Sequence, residues 1–102
     1  MNEITIRRAG PADAQLLAEL NRDVQQLHAD AYPHLFKQPG LDGSMAAYMA
    51  QALQNSLHLF YIAEVDGNPA GYLFAVIPER PETPMKLADR QVYINQISVK
   101  PI

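Results

Sequence analysis

The 102 residues fit one domain, long enough to bury roughly two-thirds of the unfolded surface, and a 48% hydrophobic content is globular rather than disordered. The net charge of -3 argues against broad binding to nucleic acid or anionic membranes. The absence of cysteine excludes disulfides, a thiol nucleophile and a cysteine-held zinc, and fits a cytoplasmic protein. Residues 1–8 hold no apolar signal core, and no apolar run is long enough to span a bilayer.

Ile4–Arg8 alternates and predicts a first strand. Gly10-Pro11-Ala12-Asp13 opens a helix, since proline suits the first helical turn and Asp13 meets the positive end of the helix dipole. Leu16, Leu17, Leu20, Val24, Leu27 and Ala31 recur at helical spacing and carry that helix to His28–Ala31, where Pro33 stops it. Tyr32–Gly40 has two prolines and a glycine and predicts a loop. Its aromatics require it to pack on something or line something. Asp42 or Ser44 caps a second helix with Met45, Tyr48, Met49, Ala52 and Leu53 on its stripe, ending near Asn55–Ser56.

His58–Val65 and Ala70–Ile77 read as strands joined by the turn Asp66-Gly67-Asn68-Pro69. Both faces of the Ala70–Ile77 strand are apolar, which predicts a central strand covered on both sides. Pro78–Asp89 has three prolines and no period, so it reads as a loop. Gln91–Val99 is the last strand, with Pro101 as its stop. Val92 and Ile94 share one parity, Ile97 and Val99 the other. One extra residue near Asn95–Gln96 would return Val92, Ile94, Ile97 and Val99 to one face, so a β-bulge is expected there. The alternative is a regular strand with two apolar faces.

The order is strand, helix, helix, strand, strand, strand. The fold class is α+β (mixed α/β), with a mostly antiparallel sheet and a bulged last strand at its edge. Two helices leave one sheet face partly bare. Such an edge or face favours self-association.

This order resembles the N-terminal half of the GNAT superfamily of acyl-CoA-dependent N-acetyltransferases. The resemblance rests on Ile6-Arg7-Arg8-Ala9-Gly10-Pro11-Ala12-Asp13, on Phe60–Tyr72 and on Tyr93–Pro101, and it spans essentially the whole chain. It implies acetyl transfer from acetyl-CoA to a primary amine, on a small molecule or peptide, by direct attack on the thioester. Ile97, Ser98 and Val99 would lie along the acyl and pantetheine arm, with a backbone N–H near the bulge polarising the thioester carbonyl. The plain alternative leaves Ile97 and Val99 as ordinary core residues. In the family, a basic glycine-rich loop and a helix follow the fourth strand and hold the pyrophosphate. No such loop occurs in these residues, so the chain reads as a truncated form, inactive alone, with an incomplete cofactor site.

Relatives often carry acids where Asn95 and Gln96 stand. An amide cannot act as a base, but Asn95 can orient the amine or a water. Glu64 is a substitute base or a solvated strand-end charge. On the acceptor side the candidates are His28, Tyr32, His34 and Phe36. Histidine is the usual proton acceptor near neutral pH, and His28 shares a face with Tyr32 if the helix lasts that long. The plain reading is a helix-end histidine beside packing aromatics. The spacing of His28, His34 and His58 matches no standard metal-ligand set. Arg7, Arg8 and Arg22 read as solvated charges.

Overall fold

A computed structural model describes residues 3–40 and 42–100. Two helices lie on one face of a four-stranded antiparallel sheet. The elements are β1 (Ile4–Arg8), a 3-10 turn (Pro11–Asp13), α1 (Ala14–Ala31), α2 (Ser44–Leu53), β2 (His58–Val65), β3 (Asn68–Val76) and β4 (Tyr93–Val99), and the sheet order is β1-β2-β3-β4. Pro101, expected to end the last strand, lies outside the described residues.

The start of the helical segment follows from Pro11 and Asp13. Asp13 Oδ2 accepts the Gly10 N–H at 2.8 Å, which satisfies one donor left free where the turn begins. Leu17 and Leu20 then point into the core. The expected stripe fails in the last turns. Leu27 is 67% exposed, while Ala29 is fully buried. The returning loop causes this by packing on the other side of the helix. Gln25 Nε2 donates to the Lys37 carbonyl and Gln26 Nε2 to Gln38 Oε1, each at 2.7 Å. Tyr32 leaves the helix with φ -136° and ψ 69°, because the following proline disfavours helical backbone there.

Before α2, Gly43 takes φ 81°, and Asp42 Oδ1 accepts the Ser44 N–H at 3.0 Å. Of the two capping candidates, Asp42 supplies the bond, and it does so as an Asx turn one residue before the cap. The helix stops at Leu53, short of Asn55–Ser56. Asn55 Oδ1 takes the Leu57 N–H at 2.9 Å, a local bond that competes with further helix.

The hairpin between β2 and β3 turns on Asp66 and Gly67, with φ 51° and 82°. Two successive positive φ values match the right-handed twist of the strands. β3 starts at Asn68, two residues before the expected Ala70, because pairing continues to the turn. β4 begins at Tyr93, not Gln91. Tyr93 pairs with Val76, the last residue of β3, so Gln91 and Val92 have no strand to pair with. Between these strands the 77–92 loop is pinned by one antiparallel bridge, Arg80 to Asp89.

Cross-strand register sorts the sheet into two faces. Phe60, Ile62, Tyr72 and Phe74 meet Leu17, Leu20, Met49 and Ala52 in one core. Phe60 and Phe74 stack with centroids 4.2 Å apart. The opposite face carries the rows Ile6–Ala63–Gly71–Val99 and Arg8–Tyr61–Leu73–Ile97. No described helix covers it. β3 is therefore central, as expected, but among the described residues helices cover it on one side only.

Candidate functional site

The site is organised by an irregularity in β4. Phe74 pairs with Gln96, and the next residue, Ala75, pairs with Ile94. Asn95 is the extra residue, so the bulge lies where the change of parity placed it. It brings Ile94, Ile97 and Val99 onto one face. That face is the bare one, and the three side chains are exposed rather than buried in the core.

The bulge also turns Gln96 and Ser98 toward α1. Asn21, buried on the apolar stripe of α1, donates from Nδ2 to the Tyr72 hydroxyl at 3.0 Å and to Gln96 Oε1 at 3.1 Å. The Tyr72 hydroxyl donates to the same Gln96 oxygen. Burial pushes the Tyr72 hydroxyl pKa up, and the Asn21 bond pulls it partly back. It therefore remains a neutral donor near pH 7. Ser98 Oγ donates to the Leu20 carbonyl at 3.1 Å. These bonds satisfy polar groups in a buried setting and tie the bulged strand to the helix.

The far edge of β4 is different. Lys100 N–H donates to the Ala70 carbonyl at 2.7 Å, so it points toward β3. Strand alternation gives the Ser98 N–H the same direction and sends the N–H groups of Ile97 and Val99 outward. Beside them no further strand is paired among the described residues. Of the three residues expected along the acyl arm, Ile97 and Val99 thus present backbone donors at the edge, while the Ser98 hydroxyl is occupied internally.

Asn95 is exposed on the bulge, and no hydrogen bond reaches its side chain among the described residues. His28 lies seven residues after Asn21 on the same helix, about 10.5 Å along the axis. Its ring meets Phe36 with centroids 4.9 Å apart. His28 Nδ1 is buried without a hydrogen-bond partner among the described residues. Tyr32 does not share the His28 helix face. It sits beyond the helix end, half-exposed, with its ring against His34 at 6.3 Å. Phe36 also lines an open groove of about 560 Å³ between α1 and the 35–46 segment, where Glu19, Arg22, Lys37 and Asp42 contribute charge. Neither Asn95 nor His28 lines that groove.

Glu64, the substitute base, is bound instead. Arg7 bridges it at 2.9 Å and grips Asp13 with two further bonds of 2.9 and 3.0 Å. Arg7 is therefore an anchor between β1, the first helical turn and β2, rather than a solvated charge. Its side-chain hydrogen bond holds the Asp13 carboxyl below the usual carboxylate range, and the Gly10 N–H adds to this. His58 bonds the Ala52 carbonyl through Nδ1 at 2.9 Å and lies edge-on to Phe74. No cluster of three or more His, Cys, Asp or Glu side chains suited to a metal occurs among the described residues.

Sequence reasoning missed the roles of Asn21, Tyr72 and Gln96. The available signal was Asn21 itself, a polar residue set between Leu20 and Val24 on an otherwise apolar stripe.

Solved structures share this arrangement. A single-substitution mutant of protein BH1408 from Bacillus halodurans superposes with a TM-score of 0.74 at 22% identity, over 94% of this chain and 61% of that one. The β-α-α-β-β-β topology is that of the GNAT fold. A predicted acetyltransferase with acetyl-CoA from Clostridium acetobutylicum matches this GNAT-fold chain with a TM-score of 0.67 at 22% identity, covering 97% and 61% of the two chains. An aminoglycoside N-acetyltransferase, AAC(6')-Iy, in complex with CoA gives a TM-score of 0.67 at 19% identity, covering 99% and 58%. The chain thus spans about three-fifths of the length of these neighbours. No family model and no curated protein sequence matches it.

Proposed function

We propose that these residues form the acyl-facing strand and acceptor side of an acetyl-CoA-dependent N-acetyltransferase. The observation that carries the reading is the Asn95 bulge in an edge strand, with the outward N–H groups of Ile97 and Val99 beside it. The GNAT topology of the neighbours, two of them described with acetyl-CoA or CoA, supports it. Those neighbours are longer, so the proposal assigns the grip on the diphosphate to residues outside the 102.

In this reading the acyl-pantetheine arm pairs along β4 as a strand would. The Ile97 N–H donates to the thioester carbonyl, and that bond strengthens as the oxygen gains negative charge in the tetrahedral intermediate. The amine forms a C–N bond to the carbonyl carbon. Its proton passes to His28, the C–S bond breaks, and the departing thiolate is protonated by water. Asn95 orients the amine, and Phe36, whose ring meets His28, flanks it. The setting proposed for this chemistry is the cytoplasm.

Saturation-transfer NMR with acetyl-CoA tests the reading on the 102-residue chain. Saturation is expected at the acetyl and pantetheine protons and not at the adenine protons. Transfer to the adenine alone, or none at millimolar ligand, would remove the support for this use of β4. A second property, self-association, is favoured by the apolar face that no described element covers.

A further inference from the structure

The register of β4 is a choice between two pairings with β3. In the observed one Gln96 stands opposite Phe74 and Ser98 opposite Tyr72, with Asn95 as the extra residue. Carrying the pairing of Ile94 with Ala75 straight on would set Asn95 opposite Phe74 and Ile97 opposite Tyr72. That regular pairing turns Ile97 toward α1, and Gln96 and Ser98 away from it. It also reverses the backbone. The Tyr72 groups that bond β4 would then meet Ile97, so the Ile97 N–H would point into the sheet and the Ser98 N–H outward.

Apolar burial favours the regular pairing, because it puts Ile97 where Ser98 now stands against α1. The polar groups oppose it. Asn21 is 2% and Tyr72 3% exposed, so their donors need partners within the protein. Asn21 Nδ2 gives one N–H to the Tyr72 hydroxyl at 3.0 Å, which leaves its second N–H and the Tyr72 O–H in need of an acceptor. Gln96 Oε1 accepts both, the Asn21 bond at 3.1 Å. Two residues on, the Ser98 hydroxyl donates at 3.1 Å to the carbonyl of Leu20, the helix residue before Asn21. In the regular pairing Asn95 takes the place of Gln96 with a side chain one methylene shorter, and Ile97 has no donor for the Leu20 carbonyl. A buried polar group stripped of its partner disfavours that state by roughly 5- to 150-fold. On the other side of the bulge Tyr93 has its own fastening. Its hydroxyl takes a bond of 2.6 Å from Arg80 Nη2, and Arg80 bridges to Asp89 across the 77–92 loop. Asn95 is the residue left over between two held segments.

We infer that Asn21 and Tyr72 are positioning residues for the site on β4. By holding Gln96 they select the bulged register, and with it the outward N–H groups of Ile97 and Val99. Neither side chain touches the thioester. The inference rests on the acetyl-transfer reading only for what those N–H groups do. The choice of register is made on the helix side of the sheet, by contacts among α1, β3 and β4.

Amide exchange by NMR on the ligand-free 102-residue chain tests the register, and saturation transfer from the chain to acetyl-CoA tests its consequence. In the wild type Ile97 is expected to exchange faster than Ser98. Asn21→Leu combined with Tyr72→Phe leaves Gln96 facing apolar groups. The ratio of Ile97 to Ser98 exchange is then expected to fall at least about fivefold, and saturation of the acetyl protons to fall with it. Adding Gln96→Leu matches the strand to its new surroundings, and this triple variant is expected to restore both. A loss of stability alone speeds both amides and leaves their ratio as it was. An unchanged ratio in the double variant therefore overturns the inference, as does a ratio that the triple variant does not restore. A ratio that falls while acetyl saturation stays at the wild-type level overturns the positioning role. A wild-type chain that shows no saturation tells against the acetyl-CoA reading instead, and the ratio still decides the register. If the double variant does not fold, Asn21→Leu alone is expected to lower the ratio by a smaller factor, and an unchanged ratio there overturns the inference equally.

Discussion

The two faces of the sheet have similar apolar sequences and opposite surroundings. Phe60 is 1% exposed under α2 and α1, while Ile97, one strand beyond Leu73 on the other side, is 60% exposed. On the covered face, burial fixes side chains and makes every polar group find a partner, as Asn21, Tyr72 and Gln96 do. On the bare face no described helix packs against the side chains, and the same residue types stay exposed. Alternation along a strand therefore tells which residues share a face, but not whether that face meets a helix, another molecule or water.

Substitutions separate the faces, and the largest contrast comes from truncation. Phe60→Ala removes a buried ring that stacks on Phe74, so it is expected to cost about 3–5 kcal/mol in urea unfolding. Ile97→Ala, measured on dilute monomer, is expected to stay within about 0.5 kcal/mol. Equal losses would mean that the bare face is part of the monomer's own core. Gly71→Ala probes the seam between β3 and β4. A Cβ there would lie 2.5 Å from the Ser98 carbonyl oxygen, which is backbone and cannot swing away. The cost is expected at about 1–3 kcal/mol, with faster exchange of the Ser98 and Lys100 amides. Unchanged exchange would show that the two strands do not approach so closely.

A smaller effect is expected inside the polar cluster. Tyr72→Phe leaves the Asn21 amide one bond to Gln96 and removes the shared hydroxyl. A loss of about 1 kcal/mol is expected by chemical denaturation. No loss would mean that water replaces the hydroxyl.

The smallest effect lies at the margin of the covered face, where Arg7 holds Asp13. The folded-state pKa of Asp13 is depressed below its unfolded value. Its contribution is therefore present above the unfolded pKa and is lost as pH falls through the folded one. Arg7 is 41% exposed, so screening keeps this to about 1 kcal/mol or less. Asp13→Asn is expected to lower the urea midpoint at pH 7 and to narrow its difference from wild type at pH 3.

Much of this was legible in the residues. Ile4–Arg8 and His58–Val65 fall as read, because period-two patterning bounded by turn residues leaves few alternatives. The bulge was legible because Ile94 and Ile97 break parity. What the sequence hid depends on distant partners. The Tyr32–Gly40 loop folds back along α1 and buries Ala29 in place of Leu27, a choice made by hydrogen bonds from Gln25 and Gln26 that no periodicity encodes. Gln96 looked like a lost acid. Its role is set by Asn21 and Tyr72, 75 and 24 residues away along the chain. Of the acceptor candidates, His28 and Phe36 come together, while Tyr32 is carried off by the proline after it.

Amide hydrogen exchange along β4, read by NMR with and without acetyl-CoA, tests most directly whether this strand offers its edge to a thioester. The Ser98 and Lys100 amides should be slow and the Ile97 and Val99 amides fast in the free chain, with Ile97 and Val99 slowing when acetyl-CoA is added. Ile97 and Val99 amides that are already protected in the free chain, or that exchange at the same rate with the ligand present, would contradict the account.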